Sequence, residues 1–409
     1  MGNNNIKQPE LNVGVVGHVD HGKTTLTQAL TGVWTARHSE ELKRAMTIKL
    51  GYAIGNLYVC PQLPEPDRYL TEPLHDDCVL KRRISYVDAP GHEVLMATML
   101  AGASLMDGAL LVIAANEPCP QPQTREHFAA LGIIGVKNVV VVQNKVDVVS
   151  REKALENYRQ IREFLRGTWA ESAPVIPVSA LNKVNIDALL MAIDKYIPVP
   201  ERDLTSPPLM FIARSFEVNR PGTPPEDLVG GVVGGSLIRG VLRVGDEIEI
   251  KPGVRVEKGG KVYYEALTSK VVSIKFGEDE FNEARPGGLV AIGTELDPSL
   301  TKADKLVGNV LGKAGTLPDP ITDVRIEYNL LERVLGTKEL VKVEKLKPNE
   351  VIMVTAGTAV TLADITKLSQ DVMEVRCRRP IVVWDGMRVA ISRQVLGRWR
   401  LVGWGFIKF

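Results

Sequence analysis

From Leu11 to about Ile197 the chain alternates short apolar runs with amphipathic or helix-forming stretches. The apolar runs are Leu11–Val16, Ile84–Val87, Ala109–Ala114, Val139–Val142 and Val175–Val178. Between them lie the helix-like segments Leu26–Leu30, Gln123–Leu131 and Glu152–Leu165. Strands flanked by helices in this rhythm predict an α/β domain with a doubly wound, mostly parallel sheet. Proline clusters at Pro198-Val-Pro200 and Pro207-Pro208 mark a linker. Beyond it the pattern changes to short β-branched runs punctuated by glycine, at Gly230–Gly240, Val244–Ile250 and Gly287–Gly293. That spacing predicts antiparallel strands in a β-barrel. A second break at Gly312–Pro320 precedes further strand patterns, Val351–Val354 and Ile381–Trp384. The expected organisation is an α/β domain over 1–205 with an insert near 55–82, then antiparallel β-barrel domains over 206–320 and 321–409.

Composition adds limits. The 409 residues are too many for one ordinary core. Apolar residues at 44% and charged residues at 24% suit a soluble globular protein. No apolar run reaches the length of a membrane span. The first residues lack the apolar core of a signal peptide, so a cytoplasmic location is expected. A net charge of only +1 means that nucleic-acid binding must be argued from local patches. Cysteines 60, 78, 119 and 377 do not read as a disulfide framework, and reduced thiols are expected.

The chemistry begins at Gly17-His-Val-Asp-His-Gly-Lys-Thr-Thr25, which fits the phosphate-loop pattern G-x-x-x-x-G-K-[ST] between a strand and a helix. Gly17 and Gly22 permit tight turns, and successive backbone N–H groups from Asp20 to Thr25 make an anion nest at a helix N-terminus. Lys23 is expected on the outer phosphates and the Thr24 hydroxyl on Mg²⁺. His18 and His21 read as loop-shaping groups rather than bases.

Three further segments follow in the order a GTPase requires. Asp88-Ala-Pro-Gly-His92 comes after a strand pattern; Asp88 fits the carboxylate that holds Mg²⁺ through water, and Gly91 the amide that senses the γ-phosphate. Asn144-Lys145-Val-Asp147 ends the next strand. Asp147 can accept from both guanine N1–H and the exocyclic amine, a donor pair that adenine lacks, which selects GTP. Ser179-Ala180-Leu181 fits the loop that supports the base. Each motif alone is weak; the ordered conjunction, each after a strand, is specific. His92, directly after Gly91, is the candidate catalytic residue, orienting the attacking water.

These residues resemble the translational GTPases. His38–Arg44, Pro90–Thr98, Ala115–Thr124, Ile391-Ser-Arg-Gln394 and Arg398–Gly403 are similar to the gamma subunit of the archaeal and eukaryotic translation initiation factor 2, and the likeness runs over almost the whole chain. The resemblance implies a P-loop GTPase domain followed by two β-barrels. It also implies a GTP-dependent carrier of methionylated initiator tRNA that works with alpha and beta subunits on the small ribosomal subunit. Thr47 would join Thr24 on Mg²⁺. Asp20 and the carbonyl of Ala45 would hold a second magnesium, although the family usually has glycine at position 45. Relatives often carry a zinc knuckle of two Cys-x-x-Cys pairs in the insert. Here Cys60-Pro-Gln-Leu63 and His75-Asp-Asp-Cys78 leave Cys60, His75 and Cys78 as a three-ligand candidate, with Leu63 unable to serve.

Arginines 376, 378, 379, 388, 393, 398 and 400 crowd the last third beside Trp399 and Trp404. They read either as a solvated barrel face or as phosphate contacts to tRNA. Cys119 and Cys377 read as small packed hydrophobes. Two other readings of the chain stay open: an elongation-type or selenocysteine-type tRNA carrier, and a GTP-binding assembly module with negligible catalysis.

Overall fold

The computed structural model describes residues 7–35, 51–89, 96–219, 223–224, 227–334 and 341–409. It divides into two compact units, one holding Pro9–Pro200, the other Glu201–Glu332 and Val343–Phe409.

The first unit is built on strands β1 (Leu11–Gly17), β2 (Gly51–Val59), β3 (Tyr69–Leu70), β4 (Val79–Asp88), β5 (Gly108–Ala114), β6 (Asn138–Asn144) and β7 (Val175–Pro177). Helices α1 (Lys23–Thr31), α2 (Met96–Ala103), α3 (Pro122–Ile134), α4 (Arg151–Leu165) and α5 (Ile186–Tyr196) connect them. The sheet order is β3-β2-β4-β1-β5-β6-β7. All pairs from β4 to β7 are parallel; β2 runs antiparallel to β4. Every residue of β1 and β5 is buried, as continuous apolar strands covered on both faces must be. Leu11, Val13 and Val15 of β1 pack with Leu26 and Leu30 of α1 and with Leu189, Leu190 and Ile193 of α5. Val16, Leu111 and Ile113, also buried, fall outside that cluster by strand alternation.

The insert is where the sequence reading fails. Cys60 and Cys78 are joined by a disulfide with Cα atoms 4.2 Å apart, so the expectation of four reduced thiols is corrected. Two tight turns bring the cysteines together, with Leu63 N–H donating to the Cys60 carbonyl and Cys78 N–H to the His75 carbonyl. The expected zinc triad of Cys60, His75 and Cys78 is not assembled. Both sulfurs are bonded to each other, His75 meets Cys78 through its backbone N–H, and among the described residues no group of three or more His, Cys, Asp or Glu side chains is placed to hold a metal. The insert is fastened to the C-terminal turn of α5 by Lys195–Glu65 at 2.8 Å and by Arg82–Asp194 at 3.2 Å.

The second unit contains two barrels. The first uses β8 (Leu209–Phe216), β9 (Val232–Arg239), β11 (Glu247–Lys258), β12 (Lys261–Phe276), β15 (Val290–Thr294) and β16 (Val310–Lys313). Their order is β11-β16-β8-β9-β15-β12, and the β11–β12 ladder closes the ring. Short β13 (Asp279–Phe281) extends from β12, and β10 (Leu242–Arg243) pairs with β14 (Glu283–Ala284). The second barrel closes in the order β17-β20-β19-β18-β21-β22, from β17 (Ile321–Leu330), β18 (Val351–Ala356), β19 (Ala359–Leu368), β20 (Val372–Ile381), β21 (Arg388–Val395) and β22 (Arg398–Lys408). The expected strand Ile381–Trp384 is only the end of β20: Val382 and Val383 are buried outside any strand, and Trp384 stacks on Phe211 at 6.0 Å. Burial without a ladder partner produced the misleading apolar run. Closure removes sheet edges from both barrels.

Candidate functional site

The phosphate loop leaves β1 at Gly17 and enters α1 at Lys23. Gly22, with φ +85, caps the helix in the left-handed region, and a Cβ there would lie 2.4 Å from Asn144 Nδ2. Only glycine satisfies both the dihedral and the space. Asp20 also has positive φ and is exposed at the crest of the loop. Lys23 is buried, and its ammonium donates to the His18 carbonyl at 2.7 Å, so the side chain lies back across the loop. Burial pushes its pKa down to about 8, against the pull of Asp88 and Asp20. A bound phosphate would restore the charge that burial disfavours.

Asp88 ends β4 beside β1 and is fully buried. The hydroxyls of Thr24 and Thr35 donate to the same carboxylate oxygen, Oδ2, at 2.8 and 2.7 Å. This cluster of hydroxyl and carboxylate oxygens suits a hard divalent cation, so these residues fit the magnesium expected there. Thr35 was not legible as a site residue, because no motif fixes its distance from Asp88. Thr47, Ala45, Gly91 and His92 lie outside the described residues.

Asn144 ends β6 between two loops. Its Nδ2 donates to the His21 carbonyl at 2.9 Å, and its Oδ1 accepts from Ala180 N–H at 3.0 Å. Lys145 follows in the left-handed region, with φ 63, and starts a short turn carrying Asp147. Asp147 is exposed; its Oδ2 accepts from Asn182 Nδ2 at 3.2 Å, and that same amide donates to Ser179 Oγ at 3.1 Å. Ser179 and Ala180 are buried while Leu181 is 76% exposed. The residues expected at the phosphates and at the base thus share one edge of the sheet, at the C-terminal ends of β1, β4 and β6, where nucleotides bind in open α/β sheets.

Two histidines brace the loop from beneath. His21 is buried with Nδ1 against the Val112 carbonyl at 3.1 Å and Nε2 against Glu117 at 3.3 Å. Burial pushes its pKa down to about 4. Thr25, the loop's last residue, is carried on the first turn of α1. His127, on α3, accepts from Gly17 N–H through Nδ1 at 2.9 Å. Nothing in its local sequence pointed to the loop 110 residues away.

The arginines of the second barrel meet local partners. Arg376 pairs with Asp323 at 2.8 Å and Arg378 with Asp364 at 3.2 Å. Arg393 bonds Glu350. Arg379 donates to the Val307 carbonyl of the first barrel at 3.1 Å, and Arg388 lies over Trp404 and Phe406. Burial raises Cys119 and Cys377 to about 12, which makes them poor nucleophiles. Among the described residues no helix is long and apolar enough to cross a membrane.

Residues 8–199 match the family model for the elongation factor Tu GTP-binding domain, and residues 322–407 that for the C-terminal domain of initiation factor eIF2 gamma. The chain is 64% identical to translation initiation factor 2 subunit gamma of Aeropyrum pernix, over 98% of this chain and 99% of that one. The corresponding proteins of Sulfurisphaera tokodaii and Pyrococcus furiosus are 62% and 57% identical, each over 98% of both chains. In fold the chain is similar to a bacterial selenocysteine-specific elongation factor, with a TM-score of 0.74 and 24% identity, over 98% of this chain and 58% of that one. It is also similar to elongation factor SelB of Methanococcus maripaludis in complex with the GTP analogue GppNHp. There the TM-score is 0.73 and the identity 22%, over 99% of this chain and 80% of that one. From the ordered GTPase motifs on one sheet edge, the two closed barrels and the full-length identity, the chain belongs to the translation initiation factor 2 gamma-subunit family and is a translational GTPase of initiation.

Proposed function

We propose that this chain holds methionylated initiator tRNA while GTP is bound, delivers it to the small ribosomal subunit, and releases it after hydrolysis. It acts as the core of a heterotrimer with alpha and beta subunits, and as three domains, 1–205, 206–320 and 321–409. The observation that carries the GTP-dependent part is the meeting of Thr24 and Thr35 on the buried carboxylate of Asp88. It joins the phosphate loop to the end of β4 at the point where a change in phosphate charge is felt. Such contacts order switch segments in one nucleotide state and release them in the other.

The chain's own residues divide the work. Backbone N–H groups from Asp20 to Thr25 and the Lys23 ammonium take the phosphates. Asp147, supported by Asn182, reads the guanine edge, and Ser179, Ala180 and Leu181 support the base. Thr24 and Thr47 would ligate magnesium, with Asp88 holding it through water; when bound it supplies neutralising charge to the phosphates. Asp20 and the Ala45 carbonyl would hold a second magnesium. His92 would orient the attacking water. Little covalent work is needed from the protein, so positioning dominates.

A titration of charged initiator tRNA in the presence of GTP and of GDP tests the reading, with and without the partner subunits. Tighter binding with GTP is expected; equal affinity in both states would sink it. A preference for elongator methionyl-tRNA would point to an elongation-type carrier. Failure to release phosphate in a single turnover, with stimulation, would leave an assembly module.

A further inference from the structure

The last N–H of β1 is held by a side chain. Gly17 sits opposite Val112 of β5, yet its N–H donates across to His127 Nδ1 on α3, at 2.9 Å in a buried setting. A backbone N–H can only donate, so Nδ1 must be the bare nitrogen and the ring proton must sit on Nε2. The other side of Gly17 is equally constrained: with φ +143, a Cβ there would lie 2.3 Å from the Val112 carbonyl oxygen. The Gly17 peptide is therefore gripped from two sides, by β5 against its Cα and by an imidazole against its N–H. The plane of that peptide sets the direction in which the chain leaves the strand, and hence where the following N–H groups of the phosphate loop point.

His127 is well placed to act as a fixed support. Its neighbour Phe128 stacks on Trp169 at 4.9 Å and tilts against Phe164 of α4 at 5.1 Å, so this turn of α3 is wedged in place. Burial keeps the ring neutral, and the charge of Lys23 adds to the effect. A buried histidine kept only for packing would not need an acceptor nitrogen aimed at the first peptide of the phosphate loop.

We propose that His127 is a positioning residue of the nucleotide site: its Nδ1 fixes the Gly17 peptide, and the residence time of bound nucleotide depends on that acceptor. The inference rests on the reading that this loop holds GTP and GDP.

The test uses the full chain and a fluorescent GDP analogue, with release rates measured by stopped flow and melting measured without nucleotide. His127→Leu keeps bulk and removes the acceptor. His127→Asn keeps an acceptor, because Asn Oδ1 occupies the position of Nδ1. His127→Gln moves its amide one bond too far. Release from the leucine and glutamine variants is expected to be roughly tenfold faster, since a buried donor loses its partner, while the asparagine variant stays within about twofold of the parent. If the leucine variant does not fold, the comparison of glutamine with asparagine decides. Parent-like release from the variants lacking the acceptor, or equally fast release from the asparagine variant, would overturn the proposal. Failure of the parent itself to bind the analogue would instead refute the nucleotide reading.

Discussion

Asn144 donates through Nδ2 to the carbonyl of His21 at 2.9 Å, although 123 residues separate them. Its Oδ1 simultaneously accepts from Ala180 N–H at 3.0 Å, so one amide spans the phosphate loop and the loop after β7. Asn144→Ala removes both bonds from a buried place, at a cost of about 1–3 kcal/mol for each group left without a partner. GTP and GDP affinity should both fall, by roughly ten- to a hundredfold, in an equilibrium titration. An unchanged affinity would show that the two loops hold their positions independently.

Asp147 reads the base in the proposed mechanism. Asp147→Asn presents an amide that can donate where the carboxylate accepted. Affinity for GTP should drop and that for xanthosine triphosphate rise in a competition assay. If base preference is unaltered, another group reads the guanine.

His127 gives the pH dependence a definite sign. Its folded pKa is pushed down to about 3 from 6.5 by burial, with Lys23, His18 and His21 adding to the effect. The unfolded chain then binds the proton more readily, so this group favours the folded state above pH 6.5 and loses that contribution as pH falls toward 3. The stability difference between the parent and His127→Asn should be flat above pH 6.5 and move against the parent below it. A difference that stays flat from pH 7 to 4 in chemical denaturation would count against a buried neutral imidazole.

His92, next to Gly91, lies outside the described residues. His92→Ala should leave GTP affinity nearly intact and slow hydrolysis by roughly ten- to a thousandfold, if positioning water is its whole contribution. The ribosome-stimulated single-turnover rate is the measurement to make. Hydrolysis at the parent rate would make His92 a structural loop residue.

The Cys60–Cys78 bond predicts a thiol count. Unfolded without reductant, the chain should expose two thiols, Cys119 and Cys377, and after reduction all four. Closing a loop of this size contributes about 3 kcal/mol in the chain-entropy model, so Cys78→Ser should lower stability by a comparable amount. Four free thiols together with one bound zinc per chain would restore the metal knuckle.

Much of the first unit is legible locally. The runs Leu11–Val16 and Val139–Val142 lie within β1 and β6, because strands covered on both faces must be continuously apolar. The phosphate loop is legible for the same local reason: its glycines, Lys23 and Thr24 all lie within a few residues, and backbone geometry alone sets their relation. The resemblance to the initiation-factor gamma family likewise rests on contiguous motifs, and the comparisons bear it out over nearly the whole chain.

What the sequence by itself determined, then, are the elements, the nucleotide motifs and the family, since each depends on neighbours along the chain. Only the tertiary structure decided the partners of groups whose bonds cross long loops. Thr35 reaches Asp88 across 53 residues and His127 reaches Gly17 across 110. Arg376 finds Asp323, and Cys60 finds Cys78 where a metal triad was expected. A hydrogen bond, an ion pair or a disulfide needs its two atoms within a few ångströms, and the packing of the sheet, its helices and the barrels sets that distance.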